Sequence, residues 1–326
     1  MREVLETMEV LGEKAYRIEN ESLRLTVVPA WGGKVVSLFH KPTGVELLRA
    51  PASREEHGAT PMLYGIPVLF PPNRIEGGAF AFAGRRYRFE RNEAGGNNHI
   101  HGLVRGRGWT VEAAGRADGS PYMTLLFDGS RQPGVMAQFP HPFRLELRLA
   151  LEGDRFVQAL KVINDGDAAF PWGLGYHTAF RFPFGAASDP ARCTISAPVS
   201  KRWELNERLL PTGRLADDPR CGLLQRGMPA AGVLLDDLFL VDAALPNEVT
   251  LADPDAGIRA TYRADAAFRH WILHNGDGTG GYLCPEPYTC VTNAFNLDMD
   301  AALSGVQTLE PGECREVSCA IDVARL

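Results

Sequence analysis

The sequence predicts an all-β protein, a large antiparallel sandwich with few short helices. Three observations carry that expectation. Short segments of alternating apolar and polar residues recur along the chain, the period-two pattern of half-buried strands. The chain holds 34 Gly and 23 Pro, enough turn formers for a meandering β-chain. No amphipathic stretch longer than two helical turns stands out, which disfavours β-α-β units and a parallel sheet.

In chain order, Leu23 to Val28 alternates and stops at Pro29, and Lys34 to His40 follows. Pro42-Thr43-Gly44 supplies a turn before Val45 to Leu48. Ala79 to Phe82 and Arg85 to Glu90 flank Ala83-Gly84 and read as a hairpin. Trp109 to Ala114 and Tyr122 to Asp128 form another pair. The clearest hairpin runs from Arg144 to Leu151, turns at Gly153-Asp154, and returns from Arg155 to Asn164. Val249 to Ala252 and Arg259 to Arg263 flank Asp253-Pro254-Asp255, and His270 to His274 and Cys314 to Asp322 complete the set. Asp298 to Leu303 is the best short helical candidate. No fixed repeat, low-complexity segment or linker interrupts the pattern, so residues 1–326 are expected to form one domain.

Composition narrows the function classes. Apolar residues are 45% and charged residues 23% of the chain, so a large core needs no disulfide or metal staple. The net charge is −6, with the two signs interspersed. No Lys/Arg run tracks a phosphate backbone, so nucleic acid is not an expected partner. Met1 to Gly12 lacks the basic start and apolar run of a signal peptide. With no run of about eighteen apolar residues, no membrane span is expected and the expected compartment is cytoplasmic. The cysteines, at 193, 221, 284, 290, 314 and 319, include no C-x-x-C pair. They read as reduced thiols, mostly core filler, and no metal site is expected.

Chemistry-bearing residues concentrate in four segments. In Gly65 to Ile75, an apolar run ends in Pro71-Pro72-Asn73-Arg74, which offers a planar donor set for ligand oxygens or an ordinary strand end. In Asn97 to Trp109, His99 and His101 share one strand face or bracket a tight bend. Gly102, Gly106 and Gly108 there permit close backbone approach, and Trp109 offers an aromatic wall. In Gly173 to Phe184, His177 sits among apolar, aromatic and Gly residues and reads as a core histidine or a tuned general acid. In Gly281 to Leu297, Glu286 lies between two prolines with little backbone freedom, which suits a positioned base. Asn293 and Asn296 are neutral hydrogen-bond partners nearby.

Taken in order, these segments resemble the aldose 1-epimerase (galactose mutarotase) family. The resemblance rests on Asn73-Arg74-Ile75, Gly78-Ala79-Phe80, His101-Gly102, and His177 with Phe180. It continues through Asp236 with Phe239 and then Glu286 to Asn296, and so runs from about Gly32 to Asn296. The resemblance implies a galactose mutarotase-like β-supersandwich with an open sugar cleft. Carried over, Glu286 is similar to the family's general base and His177 to its general acid. Arg74 and His101 stand where sugar hydroxyls are held. Asp236 stands where a substrate-binding aspartate is, with the adjacent Asp237 as the alternative. The implied reaction is interconversion of α and β anomers of an aldose, and it requires no cofactor and no metal. The implied partner is a small-molecule sugar, and the implied state is monomer or homodimer. Thr178-Ala179 after His177 and Gly102-Leu103 after His101 depart from the usual pattern and are similar to divergent bacterial members.

The chemistry asks for an ionised carboxylate and a protonated imidazole sharing one cleft. Two other readings compete. A hexose-6-phosphate 1-epimerase needs a cationic pocket, for which Arg85, Arg86 and Arg88 are candidates. A non-catalytic sugar-binding protein of the same fold needs no matched acid and base.

Overall fold

The computed structural model describes residues 4–279 and 281–326. Residues 1–3, where the amino-terminal reading begins, lie outside the described residues.

Strands make up 48% of the chain and helices 11%, so the protein is mostly β as expected. The largest sheet has nine strands. Its order is Thr110–Ala117, Ser120–Asp128, Phe143–Glu152, Arg155–Asn164, Cys314–Arg325, Ile258–Ala264, Glu248–Asp253, Thr194–Ser196 and Met228–Pro229. Strand pairing is antiparallel, and the predicted long hairpin closes with Glu152 opposite Arg155. Gly153 takes a φ of 61° in that two-residue turn, a conformation that disfavours a side chain.

A second sheet of eight strands carries the chemistry. Its order is Pro211–Ala216, Val199–Leu205, Asp236–Val241, His270–His274, Tyr282–Tyr288, Gly175–Tyr176 and Val68–Leu69, with Phe180–Arg181 also paired to Tyr282–Tyr288. A five-stranded sheet spans Glu6–Val10 to Val45–Glu46.

The two large sheets meet through a core that a period-two pattern builds. Trp271 and Leu273 alternate with Ile272 and His274, and the first two point into the core. Trp271 meets Tyr262 of the nine-stranded sheet edge to face, with centroids 5.5 Å apart. The Tyr262 hydroxyl accepts from Gln158 Nε2 at 2.9 Å and from Thr178 Oγ1 at 3.0 Å, which satisfies the polar end of a buried ring. Trp172, Trp203 and Trp271 are all buried, and a large buried apolar side chain contributes roughly 1.5–3 kcal/mol. Cys314 is exposed, the other five cysteines are buried, and all six are unpaired.

Several elements differ from the sequence expectation. The strands Val199–Leu205, Pro211–Ala216, Asp236–Val241 and Tyr282–Tyr288 were not expected. Asp236–Val241 reads DDLFLV and Tyr282–Tyr288 reads YLCPEPY, without polar alternation, and the second carries prolines that normally argue against a central strand. Pro285 and Pro287 nevertheless stand opposite Leu273 and Trp271 inside the sheet. An α-helix at Pro219–Arg226 also escaped the pattern, because only Cys221 and Leu224 are buried along it. Its start is conventional: Asp218 accepts from the Arg220 backbone N–H, and Pro219 follows. The helix expected near Asp298 to Leu303 is the single turn Ala301–Ser304, capped by Asp300. Among the described residues, no helix is long and apolar enough to cross a membrane.

Candidate active site

The outward face of the eight-stranded sheet forms the floor of a cleft. Residues two apart on a strand share a face, so Cys284, Glu286 and Tyr288 face one way along Tyr282–Tyr288, and Ile272 and His274 do so on the neighbouring strand. Cross-strand register sets Ile272 opposite Glu286 and Asp236 opposite His274. His177 follows directly on Gly175–Tyr176, which pairs with Tyr288, and its backbone N–H donates to the Pro67 carbonyl at 3.1 Å. A two-stranded ribbon supplies the far wall, with Ile100 opposite Arg74 and His99 opposite Ile75. His101 N–H donates to the Asn73 carbonyl at 3.0 Å, and Asn293 N–H donates to the Arg74 carbonyl at 2.9 Å, which ties the ribbon to the sheet.

All five residues singled out in the sequence line this one cleft: Arg74, His101, His177, Asp236 and Glu286. The cleft has a cavity volume of about 200 Å³ and opens to solvent. Nε2 of His177 stands 3.1 Å from Oε1 of Glu286, and both side chains are almost fully buried. Tyr288 donates its hydroxyl to Oε2 of Glu286 at 2.5 Å. Arg74 Nε donates to Glu93 Oε1 at 2.6 Å, and Asn98 Nδ2 donates to the other oxygen of Glu93 at 2.8 Å.

Electrostatics follow from burial. Desolvation pushes the Glu286 carboxyl well above the usual range, with nearby Asp236 adding and the Tyr288 hydrogen bond opposing. Desolvation pushes the His177 imidazole down to about 3, helped by the His274 ring. The expected pair of ionised carboxylate and imidazolium is therefore not the form that burial favours. Neutral carboxyl with neutral imidazole holds the same number of protons, and the two forms differ by one proton moved between Glu286 and His177. His101 is also held neutral, by burial first and then by His177, Arg105 and Arg74. Asp236 accepts from His274 Nδ1 at 3.2 Å, and that hydrogen bond keeps its carboxyl below the usual range.

The structure separates the two adjacent aspartates. Both reach the cleft lining, but the Asp237 carboxylate takes both terminal nitrogens of Arg220, at 2.7 and 2.9 Å. Among the described residues, only Oδ1 of Asp236 has a hydrogen-bond partner.

Of the two readings of His99 and His101, the tight bend holds, because His101 adopts a φ of 66° that turns the chain. Other sequence readings do not hold. The His99 Nδ1–H donates to the Glu90 carbonyl at 2.7 Å, and the residue is outside the cleft lining. Trp109 is no cleft wall; it packs in the core against Phe127. Asn293 and Asn296 brace loops, through Glu76 N–H to Asn293 Oδ1 and Asn296 Nδ2 to Asn293 Oδ1. Arg85, Arg86 and Arg88 lie exposed on a hairpin and do not line the cleft. Sequence reasoning missed Tyr288 and His274. Tyr288 is two residues beyond Glu286, and His274 ends a predicted strand, so the period-two rule was the signal that pointed to both.

Comparison with known proteins gives a consistent picture. Residues 14–322 match the family described as aldose 1-epimerase. A galactose mutarotase-like protein from Clostridium acetobutylicum superposes with a TM-score of 0.93 at 28% identity, covering 99% of this chain and 98% of that one. Galactose 1-epimerase from Lactobacillus acidophilus NCFM shares the fold, with a TM-score of 0.74 at 14% identity, covering 98% of this chain and 99% of that one. Among curated proteins, the uncharacterized YihR of Escherichia coli K12 is 24% identical over 247 residues, 74% of this chain and 75% of that protein.

Proposed function

The chain belongs to the aldose 1-epimerase family, and from that premise we propose that it interconverts the α and β anomers of a free aldose by acid/base ring opening and closure. The observation that carries this reading is the 3.1 Å approach of His177 Nε2 to Glu286 Oε1 on the cleft floor. The hydroxyl oxygen and the ring oxygen of a hemiacetal are bonded to the same carbon. A base and an acid must therefore stand side by side to reach both.

In the proposed reaction, the Glu286 carboxylate takes the proton of the C1 hydroxyl while the His177 imidazolium gives its proton to the ring oxygen. The bond from C1 to the ring oxygen breaks and an open aldehyde forms. Rotation about C1–C2 presents the other face, and the two protons return along the same path. After ring opening, Glu286 is protonated and His177 neutral, which is the charge state that their burial favours. A low-dielectric site thus lowers the cost of the step that discharges both groups. Arg74, His101 and Asp236 are assigned to sugar hydroxyls, with Arg74 as donor and the Asp236 carboxylate as acceptor.

A free sugar is favoured over a phosphorylated one by charge. The guanidinium in the cleft, Arg74, is already paired with Glu93. Asp236 adds a negative charge beside it, and the Arg85–Arg88 group lies elsewhere. The test is anomer exchange followed by polarimetry or NMR exchange over free aldoses and aldose 6-phosphates. Turnover of at least one free aldose above the spontaneous rate is expected. Turnover confined to 6-phosphates would overturn the free-sugar assignment, and binding without turnover of any sugar would leave a carbohydrate-binding protein.

A further inference from the structure

The Glu286 carboxylate has two oxygens, and the fold treats them differently. Oε1 faces His177 at 3.1 Å, whereas Oε2 accepts the Tyr288 hydroxyl hydrogen at 2.5 Å. Tyr288 is fully buried beside Glu286, in a separate apolar cluster with Leu69, Trp203, Leu238 and Ile272. Its oxygen in turn lies 3.5 Å from Asn73 Nδ2, at the end of the segment that carries Arg74.

The ring occupies space that another residue leaves open. Gly175 pairs directly with Tyr288 across the sheet. A Cβ at Gly175 would stand 2.4 Å from Cδ1 and 2.7 Å from Cε1 of the Tyr288 ring. The neighbouring Pro72 Cβ is also only 2.9 Å from that Cβ, so a side chain at Gly175 would force the ring to shift. Gly175 has no positive φ, so its lack of a side chain answers to the ring and not to backbone strain.

We propose that Tyr288 is the positioning residue of the Glu286 carboxylate, and that Gly175 is the residue whose missing side chain seats it. This inference rests on the acid/base reading of Glu286 and His177. Tyr288 ties off Oε2, fixes the carboxylate plane, and leaves Oε1 as the oxygen that exchanges protons with substrate. Because the hydroxyl donates, it stabilises the charged form of a base that burial otherwise discourages. The other groups acting on that carboxylate are His177, Asp236 and Arg74, with Cys284 on the same strand and His274 on the neighbouring one. None of them contacts Oε2 in place of Tyr288.

The experiment compares wild-type, Tyr288→Phe and Gly175→Ala chains in anomer exchange on the best free aldose. Activity is measured across pH, and each variant is first checked for folding by its thermal transition. In Tyr288→Phe, kcat should fall about tenfold or more, the worth of one hydrogen bond to a charged group. KM should change little, and the acidic limb of the kcat/KM profile should move to higher pH because the carboxylate has lost a donor. Gly175→Ala should move the limb in the same direction while keeping the hydroxyl, because the ring is displaced. A folded Tyr288→Phe with wild-type kcat and an unmoved acidic limb overturns the proposal. So does a Gly175→Ala chain with a wild-type profile, which would remove the seating role. An inactive wild-type chain on every sugar refutes the acid/base reading itself, which separates the two failures.

Discussion

His177 Nε2 lies 3.1 Å from Glu286 Oε1, yet Glu286 lies within the Tyr282–Tyr288 strand while His177 follows the Gly175–Tyr176 strand, far away in the chain. The Tyr282–Tyr288 strand pairs with Gly175–Tyr176, and that pairing sets the distance. A contact produced by sheet register is rigid, which suits a pair that must reach two oxygens on one carbon.

Glu286→Gln keeps the shape and removes the basicity. The catalysed rate should fall at least about a hundredfold, and His177→Asn should do comparable damage. Because the two groups act as a unit, the double variant should cost about as much as the worse single one. Mutarotation above the spontaneous background measures all three. Near wild-type turnover in Glu286→Gln would reject the base assignment.

The adjacent aspartates should separate into binding and stability. Asp236→Asn should raise KM and leave the thermal midpoint nearly unchanged, since its own side chain is 56% exposed. Asp237→Asn breaks a bidentate pair with Arg220 at 2.7 and 2.9 Å and should cost about 1–2 kcal/mol of stability. KM values and denaturant midpoints for both variants decide the matter. A KM effect confined to Asp237→Asn would reverse the assignment.

Gly102 has a φ of 72°, and a Cβ there would stand 2.3 Å from the Phe70 carbonyl oxygen. Gly102→Ala should destabilise the fold by roughly 1–3 kcal/mol. It should also raise KM, because His101 is the preceding residue and shares the same bend. Thermal melts together with KM test this. Loss of stability with an unchanged KM would free His101 from the bend.

Stability should fall as the solution is acidified from neutrality. Burial holds His270 down at about 3. His57 and His141 are held at about 4, again chiefly by burial. Unfolded imidazoles titrate near 6.5. Between about pH 6.5 and 4, the unfolded chain therefore takes up protons that the folded chain refuses, and stability is lost as pH falls. Glu286 and His177 shift in opposite directions and offset one another, while the raised Glu46 opposes these three histidines and the likewise lowered His40, His99 and His101. Calorimetry at pH 7.5 and pH 5 should show the lower midpoint at pH 5. A level or rising midpoint would mean that these imidazoles accept protons in the fold.

Much of the β-architecture is legible in the sequence, because alternation and turn chemistry are local. Leu23–Val28, Lys34–His40, Arg155–Asn164 and His270–His274 begin and end where the polar pattern and the turn formers place them. Motif order was enough to single out Arg74, His101, His177, Asp236 and Glu286. Register was not legible. The strands that carry Asp236 and Glu286 are apolar on both faces, so their sequences hold no period that says which neighbour they pair with or which side they show. Tertiary structure alone decided that Asp237 goes to Arg220, that Trp109 goes to the core, and that Tyr288 stands behind Glu286. It also set the direction in which each member of the central pair is pushed. An isolated glutamate and histidine would be ionised or half-ionised at neutral pH, and only the desolvation imposed by two packed sheets pushes the carboxyl up and the imidazole down.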